Sequence, residues 1–373
     1  MSELFGKSVH AARIRSLSSG VLGVLSASEL GVRAIGRGLA AARGLVDKHA
    51  IKQIDRLLSN DALGIWALAA VWVPAVLGKA ERVFINLDWT DADAEDHTTL
   101  MASLQTEHGR SAPLLWKTHR KSQLAGHRAA FEDELIERLH AVVPAGVSVT
   151  LVADRGFADQ LLYQVLENRG WNYIIRFRQN ILVRSADGEQ KPAHEWLGAG
   201  GRMKVLHHAE VTGEGTAVGA VVVVQDKGMK DVWCLAVGDA QMTGSEAKLR
   251  YGKRFTCEET FRDLKNPRFG MGLSHCAVTV PARRDLLLLA ILAQRVLTLL
   301  GEAGERAGLD RLLKADTSKK RSLSLLRQGL RWYDLMPRMP EPRLRILLES
   351  FEVVLAEHPE LRLLLPALAT EAA

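Results

Sequence analysis

The chain has 373 residues, 47% hydrophobic and 25% charged, a globular balance that excludes wholesale disorder and collagen-like repetition. Its 49 Lys and Arg against 43 Asp and Glu leave a net charge of +6, which permits a polyanionic partner without demanding one. Cys234, Cys257 and Cys276 form no C-x-x-C pair and leave an odd thiol, which argues against a disulfide framework or structural zinc and fits a reducing compartment.

The opening residues, MSELFGKSVH, lack the basic and then apolar pattern of an export signal, so a cytoplasmic protein is expected. Residues 1–78 read as helical. Nine Lys and Arg face four acids before residue 61, a local excess of +5 that favours a DNA-binding unit over a merely solvated face. Two apolar runs, 62–77 and 285–300, are short or interrupted (Gly64 and Pro74; Gln294 and Arg295) and are expected as buried helices, with no membrane partner.

The pattern changes at Glu81. Residues 83–89, 98–106 and 113–118 read as an antiparallel meander, the first strand ending at Asp88. A helix is expected over 124–143, a strand over 147–153 running straight into Asp154, a helix over 159–168 and a strand over 173–177. The order is β-β-β-α-β-α-β. Residues of about 178–244 are rich in Gly and Val and read as a β-rich insertion. One helix is expected from about residue 245 past Lys265, and the remainder, 283–373, reads as mostly helical.

On that helix Tyr251, Arg254, Glu258 and Lys265 fall at about 0°, 300°, 340° and 320°, a stripe about 60° wide. Alone, such a stripe is also what a solvated Arg–Glu i,i+4 pair would produce. Asp88 and Asp154 change the balance, because a carboxylate beside buried β-structure needs a partner or a metal. Two acids from neighbouring strands and a third from a helix make an all-oxygen site suited to Mg²⁺ or Mn²⁺. Two such ions could clamp the attacking and leaving oxygens of a phosphoryl displacement. Arg155 either touches a DNA backbone or pairs with an acid, His97 reads as a turn or surface histidine, and Cys257 as a core thiol.

The Y-x2-R-x3-E-x6-K pattern of Tyr251, Arg254, Glu258 and Lys265 resembles the signature of the fourth family of bacterial insertion-sequence transposases. LDWT at 87–90 resembles the first Asp motif of these DDE enzymes and ADRGF at 153–157 the second. The resemblance implies an α/β, RNase H-like core of the retroviral-integrase superfamily over 79–282, carrying the β-rich insertion at about 178–244. A basic helical DNA-binding domain at 1–78 and a helical C-terminal region at 283–373 would flank it. It implies that Asp88, Asp154 and Glu258, and not Glu259, hold two Mg²⁺ or Mn²⁺ ions. Tyr251, Arg254 and Lys265 would grip DNA phosphates and Trp233 would stack on a base. The implied activity is DNA transposition by nicking, hairpin formation and resolution, and strand transfer to target DNA, on paired ends held by a homodimer. The rival readings are a Mg²⁺ nuclease of the same fold and a non-catalytic DNA-binding derivative.

Overall fold

A computed structural model describes residues 10–92, 96–107, 109–288, 290–315 and 317–358. Glu3 and Lys7 of the basic N-terminal stretch, and the end of the C-terminal region after residue 358, lie outside them. The chain opens with four helices, α1 (Ala11–Ala27), α2 (Val32–Arg43), α3 (Asp47–Leu58) and α4 (Ile65–Leu77). In α3 the apolar positions Ala50, Ile54, Leu57 and Leu58 recur at helical spacing and are buried. His49, Lys52 and Arg56 are left exposed on the opposite face.

The meander follows as β1 (Arg82–Ala92), β2 (His97–Leu104) and β3 (Ala112–Arg120), then α5 (Arg128–Val142), β4 (Ser148–Ala153), α6 (Gln160–Glu167) and β5 (Asn172–Phe177). Strands β6 (Leu182–Arg184), β7 (Gln190–Pro192), β8 (Lys204–Val211), β9 (Thr216–Val224) and β10 (Trp233–Val237) complete one ten-stranded sheet. Its order is β3-β2-β1-β4-β5-β10-β9-β8-β6-β7. Among the described residues only β1–β4 and β4–β5 are parallel pairs. The residues expected as an insertion therefore extend the sheet. β10 lies antiparallel against β5 and covers what would otherwise be an open edge of buried strand.

The two sides of the sheet follow from strand alternation. Val83, Ile85 and Leu87 of β1 join the larger core with Leu135, Ile136 and Leu139 of α5. Phe84 points the other way, into a smaller core with Val152, Ile174, Ala247 and Tyr251. The last two belong to α7 (Gly244–Lys253), which with α8 (Phe255–Lys265) crosses that second side.

The C-terminal helices are α9 (Pro281–Leu287), α10 (Ala290–Arg306), α11 (Leu325–Leu335) and α12 (Glu341–Ala356). The stretch Pro281–Arg306 is long and apolar enough to cross a bilayer, and 88% of its most apolar window is buried inside the protein. α9 and α10 pack on the N-terminal helices: Leu286 and Ala290 share an apolar cavity with Leu17 and Ile54. Arg283 also ties to Asp55 and Ser59.

Candidate active site

Asp88 and Asp154 are brought together by register. Leu87 and Ala153 are paired on the parallel strands β1 and β4, so the next residue of each is an aspartate at the same level. The spacing between neighbouring strands is only about 5 Å. Contrary to expectation, β1 does not end at Asp88. It leaves β4 there and continues along β2 to Ala92, because the meander still supplies hydrogen bonds on its other edge. Asp154 does end its strand. The amide of Gly156 donates to its Oδ1 at 2.8 Å. A Cβ on Gly156 would lie 3.0 Å from that oxygen and 3.3 Å from an Arg128 nitrogen, so the turn leaves little room for a side chain.

Alternation sends Asn86 and Asp88 toward α7 and α8. Gln105 donates to Asn86 Oδ1 at 2.7 Å and to the Arg250 carbonyl at 2.9 Å, fastening strand to helix. The helix expected from about residue 245 past Lys265 runs on through Arg254, which keeps helical dihedrals (φ −53°, ψ −36°) while its amide bonds to the Tyr251 carbonyl three residues back. This is a local 3₁₀-type tightening within the helix. Tyr251, Arg254 and Glu258 follow one another along one side of the helix, with Arg254 2.6 Å from Glu258 and 5.9 Å from the Tyr251 ring centre. Tyr251 and Arg254 face the sheet and are buried, and Glu258 is exposed.

Arg254 clasps two acids from different elements. Its Nη1 lies 3.0 Å from Asp88 Oδ2 and its Nη2 2.6 Å from Glu258 Oε1, and its Nε has no hydrogen-bond partner among the described residues. Cys257 Sγ also donates to Asp88 Oδ2, at 3.3 Å, so the thiol expected in the core touches the first acid. Burial pushes the Asp88 carboxyl above its usual range; Arg254 and Cys257 oppose this, while Asp154 and Glu258 add to it. Burial pulls Arg254 down, but Asp88 foremost holds the guanidinium above the ordinary arginine range. Two carboxylates therefore share one guanidinium, and a third, Asp154, stands beside the first.

The other expected residues are distributed around this centre. Tyr251 packs edge-on against Trp233, with ring centroids 4.8 Å apart, and Trp233 also lies 6.4 Å from the half-exposed Phe255. Burial raises the Tyr251 phenol, while Arg254 and Arg176 beside it act in the opposite direction. Lys265 is at the far end of α8, where it lines a small cavity with Thr90, Asp91 and Ser274. Glu259 turns away to Arg262 at 2.8 Å and Arg110 at 3.6 Å, which separates it from Glu258. His97 is fully buried in β2 and accepts from Arg284 at 3.0 Å; it is not a surface histidine, because β2 lies between β1 and β3.

A second polar cluster, unanticipated from the sequence, backs the first on the opposite side of β1. Trp89 Nε1 donates to Glu132 Oε1 at 2.7 Å, and Arg128 Nε reaches the same oxygen at 2.9 Å. The Arg128 guanidinium also lies 5.5 Å from the ring centres of Trp89 and of Phe157, beside the Asp154 turn. The readable trace was the R-x3-E spacing of Arg128 and Glu132.

An all-oxygen set carrying more negative charge than its one guanidinium balances has the chemistry of a hard divalent-cation site. Among the described residues no three acidic, His or Cys side chains are already drawn into a metal cage, and the space between Asp88 and Glu258 holds Arg254. A family model for the transposase DDE domain matches residues 80–294. No curated protein matches the chain significantly.

Proposed function

The chain belongs to the transposase DDE domain family, and from that premise we propose that it moves a mobile element as a cut-and-paste enzyme of the fourth insertion-sequence family. One observation carries this reading: two aspartates leave adjacent parallel strands at one level, and Glu258 is joined to the first of them through Arg254. The strand order β3-β2-β1-β4-β5, with helices on both sides, supports an RNase H-like core.

DDE domains generally use divalent metal ions, and Asp88, Asp154 and Glu258 are the residues that would hold two Mg²⁺ or Mn²⁺. Bound there, the ions would supply a water of lowered pKa and neutralise charge on the leaving oxygen. The chain's own residues do the positioning. Strand register fixes the two aspartates, the Gly156 amide orients Asp154, and Cys257 steadies Asp88. Arg254 meanwhile neutralises Asp88 and Glu258 and keeps these two acids from repelling each other. Released from them, its guanidinium would turn to a flanking phosphate as a planar donor. Tyr251 and Lys265 would hold neighbouring phosphates, and Trp233 would receive an unstacked base.

Recognition of the element's ends is assigned to the N-terminal helices. The outward face of α3 borders a groove of about 610 Å³ lined by His49, Lys52, Gln53, Arg56 and Asn60. Cations there suit phosphates, and the two amides suit base edges. The overall reaction is nicking of each end, attack of the freed 3′-OH on the opposite strand, hairpin opening and joining to target DNA, on a homodimer that pairs the ends.

The test is a labelled duplex bearing the terminal repeat that flanks the coding sequence, incubated with Mg²⁺ and resolved on a denaturing gel. Nicked and hairpin products are expected from the wild type. Lys265→Ala should reduce the hairpin more than the nick, because hairpin formation needs the opposite strand held in place and misplacement by about 1 Å can cost on the order of 100-fold. Nicking with no hairpin from the wild type would overturn this reading in favour of a plain nuclease.

A further inference from the structure

The densest positive charge in the protein is in its C-terminal region. Residues 311–345 hold ten Lys and Arg against three acids, a local excess of +7 that is larger than the net charge of the whole chain. Part of this charge is tied down: Lys314 pairs with Asp310 at 2.6 Å, Arg321 with Glu305 at 2.6 Å and Arg345 with Glu341 at 3.5 Å. The rest is not. Among the described residues Lys319, Lys320, Arg327, Arg331, Arg338 and Arg343 make no ion pair.

These cations are carried on one firmly seated helix and its two flanks. Arg327 and Arg331 are one turn apart on α11, Arg338 follows its C-terminus, and Lys319 and Lys320 precede its Ser324 cap. The opposite face of α11, with Leu326, Leu330 and Trp332, is buried. α11 meets α10 backbone to backbone: a Cβ on Gly329 would lie 1.7 Å from the Leu297 carbonyl oxygen, and one on Gly301 1.9 Å from that of Leu325. A helix seated so closely cannot roll to spread its charges. Burial and then the neighbouring Arg331 both push Arg327 below the ordinary arginine value. A like-charged i,i+4 pair is destabilising by itself and becomes favourable once an anion spans it.

We propose that the outer face of α11 with its flanks, Lys319, Lys320, Arg327, Arg331 and Arg338, is a second duplex-DNA site that grips phosphates without reading sequence. It rests on the reading above that the chain handles DNA, and it supplies what that chemistry lacks: a seat for a duplex that is not the element's own end. Arg327 and Arg331 one turn apart on the helix, with Arg338 after its end and Lys319 and Lys320 before its cap, offer cations to successive phosphates of a duplex. Phosphate contacts carry no sequence information, and the sole amide side chain between Lys319 and Arg338, Gln328, is buried.

The experiment uses the full chain and two fluorescent duplexes, one carrying the terminal repeat and one of random sequence, titrated by anisotropy from 50 to 200 mM salt. The triple variant Arg327→Ala/Arg331→Ala/Arg338→Ala should bind the random duplex at least about 10-fold more weakly. Its log–log salt slope should be shallower by about 2–3, as three phosphate contacts are lost. Binding of the terminal repeat should fall far less. The matching Arg→Lys triple keeps the charge and should restore random-duplex binding, so its failure to do so, pointing to lost packing, overturns the proposal. So does a triple Ala variant with unchanged affinity and slope, or one that loses both duplexes equally. Arginine-dependent binding to phosphatidylserine vesicles with random-duplex binding intact would likewise overturn it. A wild type that binds neither duplex defeats the transposase reading itself, whereas a wild type that binds both with the triple Ala variant unaffected defeats only this one.

Discussion

Asp88, partly buried, and Asp285, fully buried, are both carboxylates set against the sheet, and they are held in opposite ways. Asp285, in the second half of α9, receives the Thr118 amide at 2.7 Å and the Lys117 ammonium at 3.3 Å, and its own carbonyl accepts from the Trp116 indole. One acid, one cation and one backbone donor close that group and bolt a helix onto β3. Asp88 shares its single guanidinium with Glu258 and has Asp154 beside it. Burial alone therefore does not mark a functional acid. An excess of carboxylates over cations does, because it is stable only while something else, a bound cation or a proton, can complete it.

The largest test of the contrast is removal of the acids. Asp88→Ala, Asp154→Ala and Glu258→Ala should each lower nicking of the terminal-repeat duplex by at least about 1000-fold, near 4 kcal/mol of barrier, with end binding retained. Glu259→Ala, whose side chain serves Arg262 and Arg110, should stay within about three-fold. Equal damage from Glu258→Ala and Glu259→Ala would erase the distinction between the two neighbours.

How much of this was readable from residues alone follows from the range of the interactions. Asp154 was legible because an apolar run enters it directly, and the first five strands because alternation and turn residues are local signals. The Arg254–Glu258 pair was legible as an i,i+4 spacing. Its other half was not, since Asp88 is 166 residues away and only the fold brings it near. His97 read as a surface residue because its neighbours are polar, yet β2 is enclosed by strands on both edges and buried along nearly its whole length. The junction of β10 with β5 was hidden too, because edge pairing depends on which strand lacks a partner and leaves no local pattern.

Asp285 offers the next largest effect, and its sign is opposite to that of an exposed acid. Burial first, against Lys117 and Thr118, raises its pKa from 3.8 to about 6. A raised carboxyl gives its full contribution below about pH 4 and loses it as pH climbs through 6. Asp285→Asn keeps an acceptor for the Thr118 amide and removes the charge. The stability of the variant relative to wild type should then increase between pH 4 and pH 7, by up to about 3 kcal/mol, in denaturant melts at each pH. A flat difference would mean that Lys117 fully balances the charge, and the two acids would be less alike in burial cost than drawn here.

The smallest expected effect separates the two acids most directly. A ligand that binds only the folded state stabilises it by RT ln(1 + [L]/Kd), about 1.4 kcal/mol at ten times Kd. Mn²⁺ should therefore raise the melting temperature of the wild type by a few degrees and that of Asp285→Asn equally, because the balanced group takes no part. In Asp88→Asn the increment should vanish, since one of three oxygen donors is gone. Arg254→Gln sharpens the point. The guanidinium occupies the space between Asp88 and Glu258, so a cation entering the wild type must first displace two charge-assisted hydrogen bonds, at 3.0 and 2.6 Å. Glutamine cannot neutralise the acids. The variant without Mn²⁺ should melt lower than wild type, and its Mn²⁺ increment should be larger. An increment smaller than wild type would make Arg254 a support of the cation site instead of its stand-in, and the imbalance argued for Asp88 would have to be assigned to Asp154 and Glu258 alone.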